Sequence, residues 1–538
     1  MSGVCCTSNK GVSKHPQMPD IKIQQQGIEK LLNNININKA AGPDLIHGKF
    51  LKECKSSITH ILSIIFQASL HSGKIPEDWR HASVCPAFKK GDKHDPINYR
   101  PISLTCICCK LLEHVVASSI MKHLEKNKIL YDLQHGFRSS RSCETQLISF
   151  IQDLANSNNK NIQIDIIIMD FAKVFDKVSH HHLMYKIGFY GINCNAYHWI
   201  RDFLTNRTQT VVLEGETSNK IPVTSGVPQG TVLGPILFLI FINDLAEYIE
   251  HSTLRLFADD SIIYREIKKP DDTLKLQSDL EAAGRWEQDW LMHFHPDKCN
   301  ILSVTQKRKP LDFTYKLHNH SLEKVDSTKY LGLTLQSNLK WDKHIDNMID
   351  MNSSWIKSKA NQSLGFIRRN LKIASPKVKA HAYKALVRPK LEYCSTIWDP
   401  HQKQQISQIE KVQRRAARFS CNRFHNTSSV TEMMTDLNWY PLEIRRLRYR
   451  LVFFYKIIHE IVAVPTHNLL IPLDNRTRHS NPHSFRQIQT SKDSYKYSFY
   501  PRTVINWNHL SQQTVSCSTV QGFKSMISES ALIPIFYP

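Results

Sequence analysis

An α+β fold is predicted for this 538-residue chain from two patterns and one anomaly. Between about residues 82 and 335, short runs rich in β-branched residues alternate with stretches of helical apolar period. Beyond about residue 336 the strand signals fade and helical, basic sequence takes over. The anomaly is Asp259-Asp260, two adjacent carboxylates inside the apolar run from Leu254 to Tyr264. Neighbouring strand residues face opposite sides, so both cannot enter a core without cost. A tight turn between strands at 255–258 and 261–264 lets both carboxylates reach a shared cation.

The length calls for roughly two to four domains or subdomains, and a hydrophobic fraction of 41% supports real cores. A formal charge of +22 favours polyanionic partners and sequence-independent phosphate contacts. No cationic amphipathic terminus argues for an acidic lipid surface instead. The thirteen cysteines have neither paired zinc-ligand spacing nor a secretory leader beside them, so reduced thiols in cytosol or nucleus are expected. The longest apolar run, 236–242, is far too short to span a bilayer, and no membrane is expected as a partner. His180-His181-His182 reads as a solvated loop cluster rather than a metal site.

Residues 1 to about 30 are polar and read as a poorly ordered lead-in. Apolar residues at Phe50, Leu51, Cys54, Ile58, Ile61, Leu62, Ile65 and Phe66 predict a helix over 50–70, closed by Gly73 and Pro76. A strand over 82–88, the basic turn Lys89-Lys90-Gly91-Asp92 and a helix over 110–124 follow. The isoleucine-rich run 162–169 suits a buried strand with Asp170 at its exit. A helix over 183–204 leads to strands at 208–213 and 220–224. The turn Ser225-Gly226-Val227-Pro228-Gln229-Gly230 precedes a long apolar helix over 232–248. After the double-aspartate hairpin come a helix over 271–291 and strands near 300–304 and 330–335. In the basic tail, Lys411, Arg414, Arg415 and Arg418 share one helix, and Arg445, Arg446, Arg448 and Arg450 another. The apolar stripe Ile444, Leu447, Leu451, Phe454 and Ile458 leaves the second helix able to pack on one side and meet phosphates on the other. A merely solvated basic face is the alternative.

Asp170, Asp259 and Asp260 are carboxylates that a folded sheet can bring together. Hard divalent cations, Mg²⁺ above all, are held by few carboxylates plus substrate phosphates. Such ions activate a 3′-hydroxyl and stabilise a leaving pyrophosphate, so phosphoryl transfer onto a growing strand is the favoured chemistry. Spacing alone also allows an ordinary turn.

The order of motifs goes further. "IIIMDFAKVFDKV" (166–178), "SGVPQGTVLGPILF" (225–238), "FADD" (257–260), "PDKC" (296–299) and "YLGLTL" (330–335) resemble the successive A to E motifs of reverse transcriptases. Upstream, "NKAAGPDLI" (38–46), "PEDWRHASVCPAFKKGD" (76–92), "NYRPISL" (98–104) and "QHGFRSSRSC" (134–143) resemble the amino-terminal extension and fingers of non-LTR, LINE-type enzymes, nearest to the Jockey and CR1 types. The resemblance implies a right-hand polymerase of fingers, palm and thumb. It divides the chain into an amino-terminal extension (1–68), fingers and palm (69–336), and a helical thumb with a basic, nucleic-acid-binding carboxy-terminal region (337–538).

Carried onto this sequence, the resemblance implies that Asp170, Asp259 and Asp260 ligate two Mg²⁺ ions, with Mn²⁺ as an alternative. The Phe171 carbonyl completes a shell. Phe175 takes the bulky position that closes the sugar pocket against a 2′-hydroxyl, core packing being the other reading. Gln229 and Gly230 line the nucleotide and template base. Lys89 and Arg100 grip the triphosphate, with Lys89 and Lys90 not distinguished. Lys298 matches a proton donor to pyrophosphate, or an exposed ion-pair lysine. Tyr330, Leu331 and Gly332 match the primer grip.

The implied partners are an RNA template, a DNA primer or nicked target DNA, and deoxynucleoside triphosphates. The setting is a ribonucleoprotein in nucleus and cytoplasm. Val174 departs from the alanine usual in this family and is expected to tighten the nucleotide pocket, reducing activity without abolishing it. The start of the resemblance within the first forty residues suggests a partial copy lacking an amino-terminal endonuclease, which would then be supplied separately. No carboxylate set after 336 resembles an RNase H. A decayed copy that only binds nucleic acid, or an intron-type maturase, are the rival readings.

Overall fold

The computed structural model describes residues 15–172, 174–349, 359–466, 469–473 and 483–536. The strands that build the site are β1 (His81–Phe88), β2 (Tyr99–Leu104), β3 (Gln163–Met169), β4 (Arg207–Leu213) and β5 (Thr253–Phe257). They continue with β6 (Asp260–Ile267), β7 (Asn300–Val304), β8 (Ser327–Tyr330) and β9 (Leu333–Gln336).

The central sheet runs Glu323–Lys324, β7, β3, β6, β5, with β3 antiparallel to both of its neighbours. Because side chains alternate along a strand, the isoleucine run of β3 feeds two cores at once. Ile167 and Met169 pack into one. Ile164 and Ile166 pack into the other. The helix Pro270–Asp289 supplies Leu276, Leu280 and Trp286 to the first core, and Cys143–Asn159 supplies Leu147, Phe150 and Leu154 to the second. A strand buried on both faces explains an unbroken apolar run where alternation would otherwise be expected. Each fully buried isoleucine contributes roughly 1.5–3 kcal/mol.

A second sheet joins β2 and β1 antiparallel and β1 and β4 parallel. Its β1–β2 end pairs Ala87 with Arg100 and Phe88 with Tyr99, and the Lys89 N–H donates to the Asn98 carbonyl at 2.8 Å. Lys89 and Arg100 therefore sit on the same face at one end of the hairpin. After Gln336 the described chain is helical apart from one isolated bridge, Pro472 to Phe485, and fills the second core.

Several expectations are corrected. Part of the lead-in packs against the core: Met18, Ile28 and Leu32 are buried, the last two on the helix Gln25–Asn33, while residues 1–14 lie outside the described residues. The helix over 50–70 is two, Gly48–Glu53 and Lys55–Ser72, and Gly73 closes the second in a left-handed conformation (φ 63°). That over 183–204 is also two, His180–Phe189 and Cys194–Leu204. Gly191 turns the chain between them at φ 80°, where a Cβ would lie 2.2 Å from the Pro16 carbonyl oxygen. The histidine triplet forms the first turn of His180–Phe189 rather than a loop. The apolar helix ends at Ile242 and passes into a 3₁₀ turn, Asn243–Glu247.

The largest correction concerns the second basic helix, Leu442–Ile458. Arg446 and Arg450 are buried and pair with Asp399, while Arg445 and Arg448 pair with Glu529 and Arg445 also with Glu392. This helix is wrapped on both sides, so its charges serve internal ion pairs and not a phosphate backbone. On the other basic helix, Lys403–Cys421, Lys411 and Arg414 remain exposed. Among the described residues no helix is long and apolar enough to cross a membrane. The eleven described cysteines are unpaired.

Candidate active site

Strand register brings the carboxylates together. β3 and β6 pair Met169 with Ser261, so one further step sets Asp170 opposite Asp260. The β3–β7 ladder ends at the Ile168–Asn300 pair, and the 3₁₀ turn Pro296–Lys298 that precedes β7 brings Lys298 beside Asp170. The Lys298 ammonium lies 3.8 Å from Asp170 Oδ2, with the two side chains 55% and 46% exposed. Such an open pair contributes at most about 1 kcal/mol and is easily exchanged for another partner. Asp170 is also fixed through its main chain, whose carbonyl accepts from the His295 N–H at 2.7 Å. The adjacent bridge between Phe171 and Phe294, with their rings stacked at 4.3 Å, leaves the Phe171 carbonyl out of that pairing.

The β5–β6 connection is a two-residue turn, Ala258-Asp259, closed by the Phe257–Asp260 pair. Ala258 takes a left-handed φ of 55°. Only Asp259 lies in the turn proper. Asp260 is the first residue of β6, which corrects the expectation that both occupy the turn. Arg255, the other charge in this apolar run, is paired internally, with its guanidinium 2.8 Å from Asp153 and hydrogen-bonded to the Tyr264 hydroxyl.

The electrostatics at the turn are unfavourable by construction. Burial first, then the Asp259 and Asp170 charges, push the Asp260 carboxyl up to about 6, with Lys89 opposing them. Asp259 is raised by burial and by Asp170, against its own backbone N–H and the charges of Lys89 and Arg100. Of the two candidate lysines, Lys89 is therefore the one whose charge reaches both aspartates. Among the described residues no three His, Cys, Asp or Glu side chains converge tightly enough to hold a metal ion unaided. A set of hard oxygen donors, mutually repelling and incompletely closed, fits a cation that takes the rest of its shell from substrate phosphates and water.

The remaining predicted residues flank this centre. Phe175 is half-buried, its ring 4.9 Å from that of Phe238, and its carbonyl accepts from the Val227 N–H at 2.7 Å. Val174 points into the core, so its extra bulk is not spent on the nucleotide pocket as expected. Gln229 donates to the Asp176 carboxylate at 3.2 Å, and its carbonyl accepts from the Ser103 N–H at 2.7 Å. Gly230 turns at φ 96° where a Cβ would lie 2.9 Å from the Ser103 carbonyl oxygen. The predicted strand over 330–335 is instead the hairpin β8–β9, with Leu331 (φ 44°) and Gly332 (φ 85°) as its turn. Tyr330 is buried beneath this turn, where Gln146 donates to its hydroxyl at 3.1 Å. Only Leu331 and Gly332 form the tip.

Residues 89–335 match the reverse transcriptase (RNA-dependent DNA polymerase) family. The chain is 25% identical over 418 residues to the RNA-directed DNA polymerase from mobile element jockey of Drosophila melanogaster, covering 74% of this chain and 44% of the relative. It is 24% identical over 407 residues to the probable RNA-directed DNA polymerase from transposon X-element of the same organism, with the same coverage. Residues 89–335 are a reverse transcriptase domain of the non-LTR, LINE type. A shorter match, 29% identical over 182 residues, covers 33% of this chain and 25% of a Pol polyprotein from type-1 retrotransposable element R2 of Popillia japonica. The chain thus spans less than half the length of the curated relatives jockey and X-element.

Two supports of this reverse transcriptase domain escaped the sequence reading. Glu113 is wholly buried, and its carboxylate accepts from the Val232 and Leu233 N–H groups at 2.7 and 3.0 Å, holding the entry to the helix Gly234–Ile242 behind Gln229 and Gly230. Tyr393, from the carboxy-terminal helical region, donates to the Leu331 carbonyl at 3.1 Å, and a Cβ on Gly332 would lie 2.9 Å from its ring. Its only sequence signal was an aromatic in "LVRPKLEYCSTIW".

Proposed function

We propose that the chain is an RNA-directed DNA polymerase of a non-LTR retrotransposon, extending a primer 3′-hydroxyl on an RNA template. The observation that carries this reading is the register that sets Asp170 opposite Asp260, with Asp259 beside them and Lys298 3.8 Å from Asp170, inside a reverse transcriptase domain. Two Mg²⁺ ions, or Mn²⁺, would be held by Asp170, Asp259, Asp260 and the Phe171 carbonyl, and when bound supply the positive charge that acidifies the 3′-hydroxyl and stabilises pyrophosphate. The bond formed joins the primer 3′-oxygen to the α-phosphorus. The bond broken is the α–β phosphoanhydride, and pyrophosphate leaves.

The side chains divide the remaining work. Lys89 and Arg100, on one face of the β1–β2 hairpin, orient the triphosphate. Lys298 exchanges Asp170 for the pyrophosphate oxygen and gives it a proton. The Phe175 ring, backed by Phe238, crowds a 2′-hydroxyl and so favours deoxynucleotides. Gln229 and Gly230 bring backbone close to the incoming base pair. The Leu331-Gly332 turn, on its Tyr330 base, supports the primer end.

In this reading residues 1–68 form an extension, 69–336 fingers and palm, and 337–538 a helical thumb and nucleic-acid-binding region. The RNA template, a DNA primer or nicked target and deoxynucleoside triphosphates are the partners. The protein acts within a ribonucleoprotein of nucleus and cytoplasm. The deciding measurement is primer extension on poly(rA)·oligo(dT) by purified protein. Incorporation that is lost in Asp259→Ala, and lost reversibly on chelation of divalent ions, supports the assignment. Incorporation unchanged by the substitution overturns it.

A further inference from the structure

The turn that carries Asp259 is held by a residue distant in sequence. Residues Leu133 to His135 run parallel to β5, with the Leu256 N–H donating to the Leu133 carbonyl at 3.0 Å and the His135 N–H to the Leu256 carbonyl at 2.9 Å. This ladder stops two residues short of Ala258, and the Gln134 side chain completes it. Gln134 Oε1 accepts from the Ala258 N–H at 2.9 Å and from the Gly136 N–H at 2.8 Å. Its Nε2 reaches the Ala258 carbonyl at 3.5 Å.

We infer that Gln134 is a positioning residue, whose amide locks Ala258 in its left-handed conformation and thereby aims Asp259 into the metal site. Left-handed φ costs a residue bearing a Cβ about 1–2 kcal/mol, so alanine does not hold φ 55° by itself. The clamp is rigid on every side. Gln134 is 2% exposed. The Gly136 backbone abuts the turn so closely that a Cβ would lie 2.3 Å from the Ala258 nitrogen. Arg138 donates to the Tyr131 and Gln134 carbonyls and pairs with Glu125 at 2.6 Å. Neighbouring His135 is buried and bonded to the Thr145 hydroxyl. Loss of the amide leaves two buried N–H groups without their acceptor and frees Ala258 to relax, swinging the next residue.

The inference rests on the metal and polymerase reading above, and its test separates the two. Gln134→Met keeps length and bulk but neither bond. It is expected to weaken Mn²⁺ binding to the free protein, followed by electron paramagnetic resonance, at least fivefold. At saturating divalent ion it should lower kcat for primer extension at least tenfold, with KM for the nucleotide changed less than threefold. Adding Ala258→Gly, which needs no clamp at positive φ, should recover most of both losses. Wild-type protein and Asp259→Ala run alongside: wild type that binds Mn²⁺ but does not extend primers sinks the polymerase reading and leaves the binding arm to judge Gln134. Wild-type values in Gln134→Met overturn the inference. So does a double variant that fails to recover, whether inactive or misfolded, since relief at residue 258 is what the clamp predicts.

Discussion

At the β5–β6 turn Asp259 and Asp260 face Asp170, with Lys89 and Arg100 as the nearby compensating charges, and burial and mutual repulsion push Asp260 up to about 6. In the carboxy-terminal region Asp399 is also a carboxylate among basic residues, and a more deeply buried one. There Arg446 Nε lies 2.6 Å away and Arg450 and Arg502 each 3.2 Å. Burial works against the Asp399 charge, but Arg502, Arg446 and Arg450 outweigh it and hold the carboxyl below its ordinary range. One region gathers like charges and leaves them short of partners, and the other surrounds one charge with opposite ones. In the proposed reading the first arrangement stores an affinity for cations. The second ties the helix Leu442–Ile458 to the segment before residue 400 and to the helix Phe499–Asn508.

The same substitution should therefore act with opposite sign in the two places. Asp260→Asn is expected to reduce primer extension to background while leaving the melting temperature unchanged or higher, because it removes repulsion. A fall in melting temperature with activity retained would reverse the contrast. Asp399→Asn is expected to cost about 3–5 kcal/mol in urea unfolding, because it leaves buried arginines uncompensated. Unchanged stability there would mean the ion pairs are not architectural.

A third test uses His344, which is buried where the Thr334 N–H donates to its Nδ1 at 3.2 Å, and is held down to about 4 by burial and by Lys359. Its folded pKa is depressed, so its stabilising contribution is whole above about pH 6.5 and is lost as pH falls toward 4. The whole loss is about 3 kcal/mol. His344→Gln should flatten the pH dependence of the unfolding midpoint in that window. The smallest effect is expected at the exposed face of Lys403–Cys421: Lys411→Ala or Arg414→Ala should each lower the salt slope of RNA binding by about one. Arg446→Ala, by contrast, should act through stability.

Much of this architecture was legible because local chemistry and the fold agree. The isoleucine run of β3, the Gly73 helix stop and the apolar hairpin around Asp259-Asp260 each announce their element. The candidate site was legible as motif order. What was not legible depends on distant segments. The Arg445–Arg450 cluster reads as a basic face until Asp399, Glu392 and Glu529 are seen to occupy it. Tyr330 reads as the start of a strand until the Leu331-Gly332 turn shows it to be the end of β8, buried underneath. Gln134 opens the 134–143 motif, yet its role, like those of Glu113 and Tyr393, is not locally legible, because each acts by hydrogen bonds across 62 to 124 residues of chain.

The sequence by itself determined the α+β alternation, the excess of positive charge and the three aspartates with their motif neighbours, since periodicity, charge and residue type are local properties. Only the tertiary structure decided that Asp170 stands opposite Asp260 and within reach of Lys298, that the Lys89 charge acts on both aspartates of the turn, and which arginines remain outside. Those are matters of strand register and burial. They are fixed by the two-sided core around β3 and by backbone groups finding partners far along the chain.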